Sequence, residues 1–168
     1  MRLINTLLFS ILICNSLASQ KDSSHIAKNL IYLKAGGTCG YGSLNYERNI
    51  YTNKKLNAFS RIGISTYHTN DFTNKFNPDL LIPILLNICY GKNHKIELGT
   101  GETFATIVKA DSKNFKPTRF TNFHTNFTLA YRFQKEKGGF VFRCAYTPNI
   151  EFNKYLRHWA GISFGYSF

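Results

Sequence analysis

The residues best suited to catalysis in this sequence are five scattered histidines: His25, His68, His94, His124 and His158. Hydrolytic chemistry needs a nucleophilic serine, or a water activated by histidine, with a carboxylate that orients the histidine. None of the histidines is followed two residues later by serine, and His124 lies between Asn122 and Asn126. That setting is typical of a hydrogen-bonded polar interior, so the sequence predicts no catalytic residues.

Motifs for metals, cofactors and phosphates are equally weak. The Gly99-Thr-Gly101 stretch continues as a predicted strand, whereas a phosphate-binding glycine loop leads into a helix. No Cys/His cluster has zinc spacing, and the aspartates at 71 and 79 do not form a calcium loop. We therefore predict no metal and no cofactor. Cys14 lies in the predicted signal peptide, so the mature chain keeps three cysteines, Cys39, Cys89 and Cys144. An odd number cannot all pair within one chain, and we interpret these cysteines as small apolar residues.

The first residues have the three parts of a secretory signal. Arg2 precedes a mostly apolar stretch over 3–17, and Ser16-Leu17-Ala18 supplies small residues for cleavage. The alternative is an N-terminal anchor, but the stretch is short for a span of about 20 residues. We predict a cleaved signal peptide at 1–18, a short tail at 19–28 and one domain at 29–168.

The net charge of +12 favours anionic partners. For an exported protein these are lipid phosphates and not nucleic acid. Basic residues that merely keep loops solvated are an equally good interpretation at this point.

The elements that must carry these residues are strands. Apolar and polar side chains alternate in segments of about ten residues, separated by Gly, Asn, Asp and Lys. In Phe120–Phe133 the odd positions are mainly apolar and the even positions are polar. Eight such segments are predicted, at about 29–37, 41–50, 57–68, 80–90, 94–107, 119–133, 139–150 and 158–168.

Two segments are irregular. Pro83 cannot donate a ladder hydrogen bond, which makes the fourth segment the weakest. In the fifth, Glu102 has the parity of Leu98 and not of Glu97, so the alternation of polar and apolar residues changes phase. We expect a β-bulge near 99–101 to account for this change.

The connections alternate in length. The links at 51–56, 91–93 and 134–138 are short, whereas three of the four on the other side (69–79, 108–118 and 151–157) are as long or longer. Short inner turns and longer outer loops are typical of outer-membrane barrels. The tight link at 38–40 is the exception.

Two features favour a membrane barrel over a soluble barrel with an apolar interior. The last strand alternates aromatic residues and stops at Phe168, with Phe164 and Tyr166 on the same face. Charged residues also share one strand face: Lys34, Glu47, Arg61, Glu97, Arg132 and Arg143. In a membrane barrel these would face a narrow interior, where they must pair and would plug it. Arg48 has the opposite parity and is expected at a membrane boundary.

The sequence resembles small eight-stranded outer-membrane barrels, such as the membrane domain of the outer-membrane protein A group. It is more similar to Bacteroidota-type barrel proteins that have no assigned activity. The stretches that carry the resemblance, in order along the mature chain, are 45–48, 61–63, 86–92, 94–101, 131–134, 138–148 and the terminal strand. The resemblance implies a bacterial outer-membrane location, and it implies that Phe164, Tyr166 and Phe168 are a signal for the outer-membrane assembly machinery.

We therefore predict an all-β, eight-stranded, antiparallel, up-and-down transmembrane β-barrel with a structural, adhesive or surface-binding role. Its basic outer loops could contact lipopolysaccharide phosphates through Lys109, Lys113, Lys116, Arg119, Lys154 and Arg157. An external protein partner is a further possibility. The alternatives are a lipid A-modifying enzyme, which would need a His–Ser–carboxylate cluster on the outer rim, and a secreted soluble barrel that binds an apolar ligand.

Overall fold

A computed structural model of the chain describes residues 26–37, 41–111, 115–151 and 156–168. The predicted signal peptide, most of the predicted tail and the link at 38–40 lie outside these residues. So do Cys39, Lys113 and Lys154. Among the described residues, no helix is long and apolar enough to cross a membrane.

The described chain forms ten strands: β1 (Asn29–Gly36), β2 (Gly42–Asn53), β3 (Leu56–Ser65), β4 (Leu80–Gly91), β5 (His94–Ala110), β6 (Pro117–Gln134), β7 (Gly139–Tyr146), β8 (Asn149–Glu151), β9 (Leu156–Arg157) and β10 (Ala160–Ser167). Every pairing is antiparallel between neighbours. The sheet closes because β1 also pairs with β10. The predicted up-and-down barrel is thus confirmed.

Ten strands make eight barrel walls because two walls are interrupted. β7 and β8 pair with β6 in one continuous register, from Leu129↔Tyr146 to Asn126↔Asn149. The break falls at Pro148, whose carbonyl still accepts a hydrogen bond from the Phe127 amide at 2.9 Å. β9 likewise continues β10 on the other side of β8. The seventh and eighth predicted segments therefore each correspond to one wall.

The weak fourth segment does form a strand. Pro83 pairs opposite Thr103 on β5, whereas the β3–β4 pairing skips from Ile62↔Ile84 to Ser65↔Leu81. Proline has no N–H to donate, so the ladder opens on that one side only. The intact β4–β5 ladder keeps the strand in the wall.

The predicted bulge at 99–101 is wrong. β5 pairs without a register shift with β4 and β6, so Glu102 faces outward, where its Oε1 accepts a hydrogen bond from the Thr125 hydroxyl at 2.8 Å. The register shift lies instead in β2, between Asn49 and Tyr51.

The two wall faces differ in chemistry. The outer face is apolar around the barrel, with exposed side chains such as Ile31, Leu44, Ile84, Leu98 and Phe164. The inner face is mainly polar and buried. A soluble barrel with an apolar interior is therefore contradicted, because a soluble barrel places its apolar face inside.

The two barrel ends also differ. One end carries the tight turns after β2, β4 and β6, which we call the turn end. The other carries the connections after β1, β3, β5 and β8, which we call the loop end. The β5–β6 hairpin projects furthest at the loop end, because it stays paired to Ala110↔Pro117. The link predicted at 108–118 is therefore shortened to 111–116.

Candidate functional site

Four charged side chains from four strands meet in the barrel interior. They are Glu47 on β2, Glu97 on β5, Arg132 on β6 and Arg143 on β7, and we call them the tetrad. Arg143 Nη1 lies 2.9 Å from an oxygen of each glutamate. Arg132 lies 2.8 Å from Glu47 and 3.1 Å from Glu97. Each arginine thus bridges both carboxylates, and two positive charges balance two negative charges.

Aromatic side chains complete the surroundings of the tetrad. The Tyr32 hydroxyl donates to Glu47 at 2.8 Å and accepts from Arg143 Nη2 at 2.6 Å. The Arg132 guanidinium lies 4.3 Å from the centre of the Phe59 ring. The gap beside Tyr32, Arg132 and Arg143 is too small for a water molecule. The tetrad is therefore dry on the side of Tyr32, and its charges compensate one another, while Arg132 Nε and Arg143 Nε have no hydrogen-bond partner within the described residues.

The other two predicted interior residues, Arg61 and Lys34, are also buried. Arg61 is buried, but its Nε and Nη2 donate to Asn45 Oδ1 at 3.0 and 2.7 Å, and no carboxylate of the described chain lies within ion-pair distance. Lys34 is buried further towards the loop end, opposite Ser43 and Ser163. Arg61 borders the tetrad, since it lies opposite Glu47 in the β2–β3 pairing and its guanidinium lies 5.5 Å from the centre of the Tyr32 ring.

Sequence reasoning missed two interior residues with the right parity. Tyr32 shares the inward face with Lys34, and Lys95 shares it with Glu97. Lys95 is only 4% exposed. Counting inward positions along β5 would have found it.

The cysteines do not fill an apolar core. Cys89 is buried among charges, with its sulfur 3.7 Å from Glu97 Oε2 and 3.8 Å from Arg132 Nη1. Cys144 is exposed on the outer face of β7.

The residues of the predicted assembly signal all point outward. Phe164, Tyr166 and Phe168 are 48%, 63% and 55% exposed, and the Phe164 ring packs against Phe140 and Phe142. Arg48 is also exposed, near the turn end.

The predicted basic contacts of the loop end lie on separate elements. Lys109 and Lys116 flank the tip of the β5–β6 hairpin, Arg119 follows on β6, and Arg157 lies on β9; all four are exposed. Arg119 donates to Asn77 Oδ1 at 2.6 Å, which joins the hairpin to the 66–79 loop.

Two aspartates of the loop end accept hydrogen bonds that stabilise the 66–79 loop. Asp79 is 4% exposed and accepts from the Val108 amide at 2.8 Å. Asp71 Oδ1 accepts from the Thr73 hydroxyl and amide, and the hydroxyl hydrogen bond lowers the pKa of Asp71. The loop thus leaves Phe72 and Phe76 exposed (54% and 80%) beside Lys75.

The histidines do not assemble a catalytic triad among the described residues. His68 Nδ1 lies 3.0 Å from Asp79 Oδ2. His94 and His158 contact the hydroxyls of Tyr131 and Tyr146 on the outer wall, and His124 is buried. The described residues contain no group of three potential metal ligands.

The turn end is strongly basic, which sequence reasoning also missed. A single exposed acid, Glu136, lies at this end of the described chain among seven exposed basic residues: Lys28, Arg48, Lys54, Lys55, Lys92, Lys135 and Lys137. We call these seven residues the basic collar.

An apolar outer wall around a charged interior defines the class of transmembrane β-barrels. The fold is similar to that of the N-terminal β-barrel domain of Pseudomonas aeruginosa OprF, with a TM-score of 0.56, 13% identity, and coverage of 84% of this chain and 99% of that one. It is also similar to Yersinia pestis outer membrane protein Ail, with a TM-score of 0.53, 9% identity, and coverage of 84% and 99%. No protein-family model matches the sequence, and no curated protein matches it. These likenesses show the fold, an eight-stranded barrel of the type found in small outer-membrane proteins.

Proposed function

We propose that the protein is a bacterial outer-membrane barrel with a structural or surface-binding role and a lumen closed by the tetrad. The observation that carries this proposal is the contrast between an apolar outer wall and the dry, ion-paired tetrad inside it. Only a hydrocarbon environment makes an outer wall of exposed Ile, Leu and Phe favourable all round. A barrel of eight strands is just wide enough to be filled by side chains, so the barrel acts as a scaffold and not as an open pore.

Membrane fractionation and gel mobility test this proposal. The protein should co-fractionate with outer membranes and should migrate differently with and without boiling, because the folded barrel resists detergent. Vesicles that contain the purified barrel should remain impermeable to small sugars. A soluble protein without a heat-dependent shift would refute the placement, and sugar permeation equal to that of a porin would refute the closed lumen.

The finer proposal is that the loop end contacts lipopolysaccharide phosphates. Lys109, Lys116 and Arg119 support it, since they are exposed on one projecting hairpin, where cations can pair with phosphate. Asp79 does not compete for these cations, because it is buried and held by the loop. The adjacent exposed rings of Phe72 and Phe76 add an apolar surface that an acyl chain or a protein partner could contact.

A charge-matched comparison tests the lipopolysaccharide contact. Replacing Lys109, Lys116 and Arg119 by alanine should weaken binding of the detergent-solubilised barrel to lipopolysaccharide by at least tenfold. The control replaces three basic residues of the turn end, Lys54, Lys55 and Lys92. Equal weakening by both triple variants would mean that net charge alone governs binding and would refute a loop-end site.

A second candidate, an enzyme acting on lipid A, has one supporting observation. The exposed His68 ring is held by the buried Asp79 carboxylate, an orientation that general-base chemistry requires. Within the described residues, no serine hydroxyl contacts His68. A structural role for His68 is therefore favoured over a catalytic one. Asp79 links the 66–79 loop to β5 by accepting from the Val108 amide, and its contact with His68 stabilises the same loop. Release of fatty acid from lipid A by the purified barrel, abolished by His68→Ala, would reverse this preference.

A further inference from the structure

A cavity of about 180 Å³ lies inside the barrel at the turn end. Its walls include Asn57, Phe59, Lys95 and Gln134, and Ala27 of the N-terminal segment borders it. The Ala27 amide donates to the Glu136 carbonyl at 2.8 Å, which fixes this segment at the barrel mouth. A water molecule occupies about 30 Å³ of the liquid, so the cavity has room for a small polyatomic ion.

No carboxylate of the described chain pairs directly with the Lys95 ammonium, and Glu136 and Glu97 act on it only from beyond ion-pair distance. Lys95 is 4% exposed, and no carboxylate of the described chain lies within ion-pair distance of it. Its recorded contact is with the face of the Phe59 ring, 5.8 Å from the ring centre. Burial of an unpaired charge costs several kcal/mol, and one cation–π contact offsets only a part of that cost.

Other polar groups of the cavity are also unsatisfied. Gln134 is 3% exposed, and its Oε1 has no hydrogen-bond partner within the described structure. Asn57 Oδ1 accepts from Thr52 at 3.2 Å, which leaves the Asn57 amide free to donate. A buried cation, an amide donor and an amide acceptor thus face the same space.

The tetrad does not neutralise Lys95. Both tetrad carboxylates are already bridged by two arginines, so Lys95 adds positive charge to a balanced cluster. The sole carboxylate that lines the cavity belongs to Glu136, which is exposed on the turn after β6. Outside the cavity, the basic collar makes the whole turn end attractive to anions.

We propose that this cavity binds a small oxyanion, a phosphate or carboxylate group, through the Lys95 ammonium and the Asn57 and Gln134 amides. The anion would pair with the Lys95 ammonium, and the Asn57 amide and a rotated Gln134 amide would donate hydrogen bonds to its oxygens. Two sources carry this chemistry: a free anion that enters from the compartment facing the turn end, and the headgroup of an anionic phospholipid drawn in past the basic collar.

Amide NMR of the full barrel tests the proposal and separates the two sources. In an uncharged detergent, inorganic phosphate should shift the amides of Lys95, Asn57 and Gln134 saturably, whereas chloride at equal ionic strength should not. In phosphatidylcholine nanodiscs without phosphate, the same amides should shift only when phosphatidylglycerol is added, if the ligand is a headgroup. A response in either arm supports the proposal and identifies the source.

The variants are chosen so that folding does not obscure the result. Lys95→Met should weaken the response at least tenfold, while Lys75→Met, which removes an exposed lysine of the loop end, should leave it unchanged. Removing an unpaired buried charge does not threaten the fold, and the heat-dependent gel shift verifies this. Gln134→Leu is the second variant and should also weaken binding. No saturable shift in either arm, or a wild-type response in Lys95→Met, would overturn the proposal and leave water as the occupant.

Discussion

Removing one tetrad charge should destabilise the barrel strongly. In the wild-type protein, Arg132 and Arg143 each lie within 2.8–2.9 Å of a Glu47 oxygen. In Glu47→Gln, Glu97 is the one carboxylate left to compensate both arginines. One positive charge is then uncompensated in a site without room for water. Breaking a buried ion pair on one side costs about 3–5 kcal/mol, and the lost acceptor for the Tyr32 hydroxyl acts in the same direction.

Urea unfolding in lipid vesicles, followed by the heat-dependent gel shift, measures this loss. With a slope of about 1–3 kcal/mol per molar urea, the midpoint should fall by more than about 1 M. Glu102→Gln is the matched control. It makes the same chemical change on the outer wall, where Glu102 contacts Thr125, and should leave the midpoint nearly unchanged or raise it.

A double variant isolates the charge balance. Glu47→Gln combined with Arg143→Met leaves one glutamate and one arginine, which is again neutral. It should be less destabilised than the sum of the two single variants, by about 0.5–3 kcal/mol. Strict additivity, or a midpoint in Glu47→Gln equal to that of Glu102→Gln, would refute the reasoning that the tetrad is a dry, mutually compensated cluster.

Tyr32→Phe should cost about 1–3 kcal/mol in the same unfolding assay, because Glu47 and Arg143 lose a buried hydrogen-bond partner; a neutral effect would mean that water replaces the hydroxyl. The 66–79 loop should stay protease-resistant at pH 5 and open at lower pH, because the pKa of Asp71 is lowered in the folded protein. The hydrogen bonds to the Asp71 carboxylate are fully present above the ordinary aspartate pKa of about 3.9. They are lost as the pH falls through the lower pKa of the folded state. Opening already at pH 5 would contradict this. Phe168→Ser should reduce the folded fraction in cells but not refolding of purified protein in detergent, and an equal loss in both would assign Phe168 a structural role instead.

The strands and their faces could be predicted from the sequence because alternation has a fixed period of two. This is why Glu47, Glu97, Arg132 and Arg143 were assigned to one face. Which arginine meets which glutamate could not be predicted, since that depends on the stagger between strands far apart in the chain. Glu47 and Arg143, for example, meet only because the barrel closes.

Glu102 shows where a physical expectation misled the sequence reasoning. Its parity places it on the outer face with Leu98, and the predicted bulge would have moved it to the inner face with Glu97. A hydrogen bond from the Thr125 hydroxyl makes the outward position of this carboxylate tolerable. The register shift at 49–51 was missed although the alternation breaks there, with Ile50 and Tyr51 adjacent in the sequence.

The closure of the barrel has a consequence for the order of folding. The β5–β6 hairpin joins strands of 17 and 18 residues across a short link, so its contacts are local and its loop-closure entropy is small. The seam between β1 and β10 joins strands of only eight residues each from opposite ends of the chain. Contacts so distant in sequence form slowly. We therefore expect the β5–β6 hairpin to form first during folding. The β1–β10 pairing should form last and should separate first on unfolding.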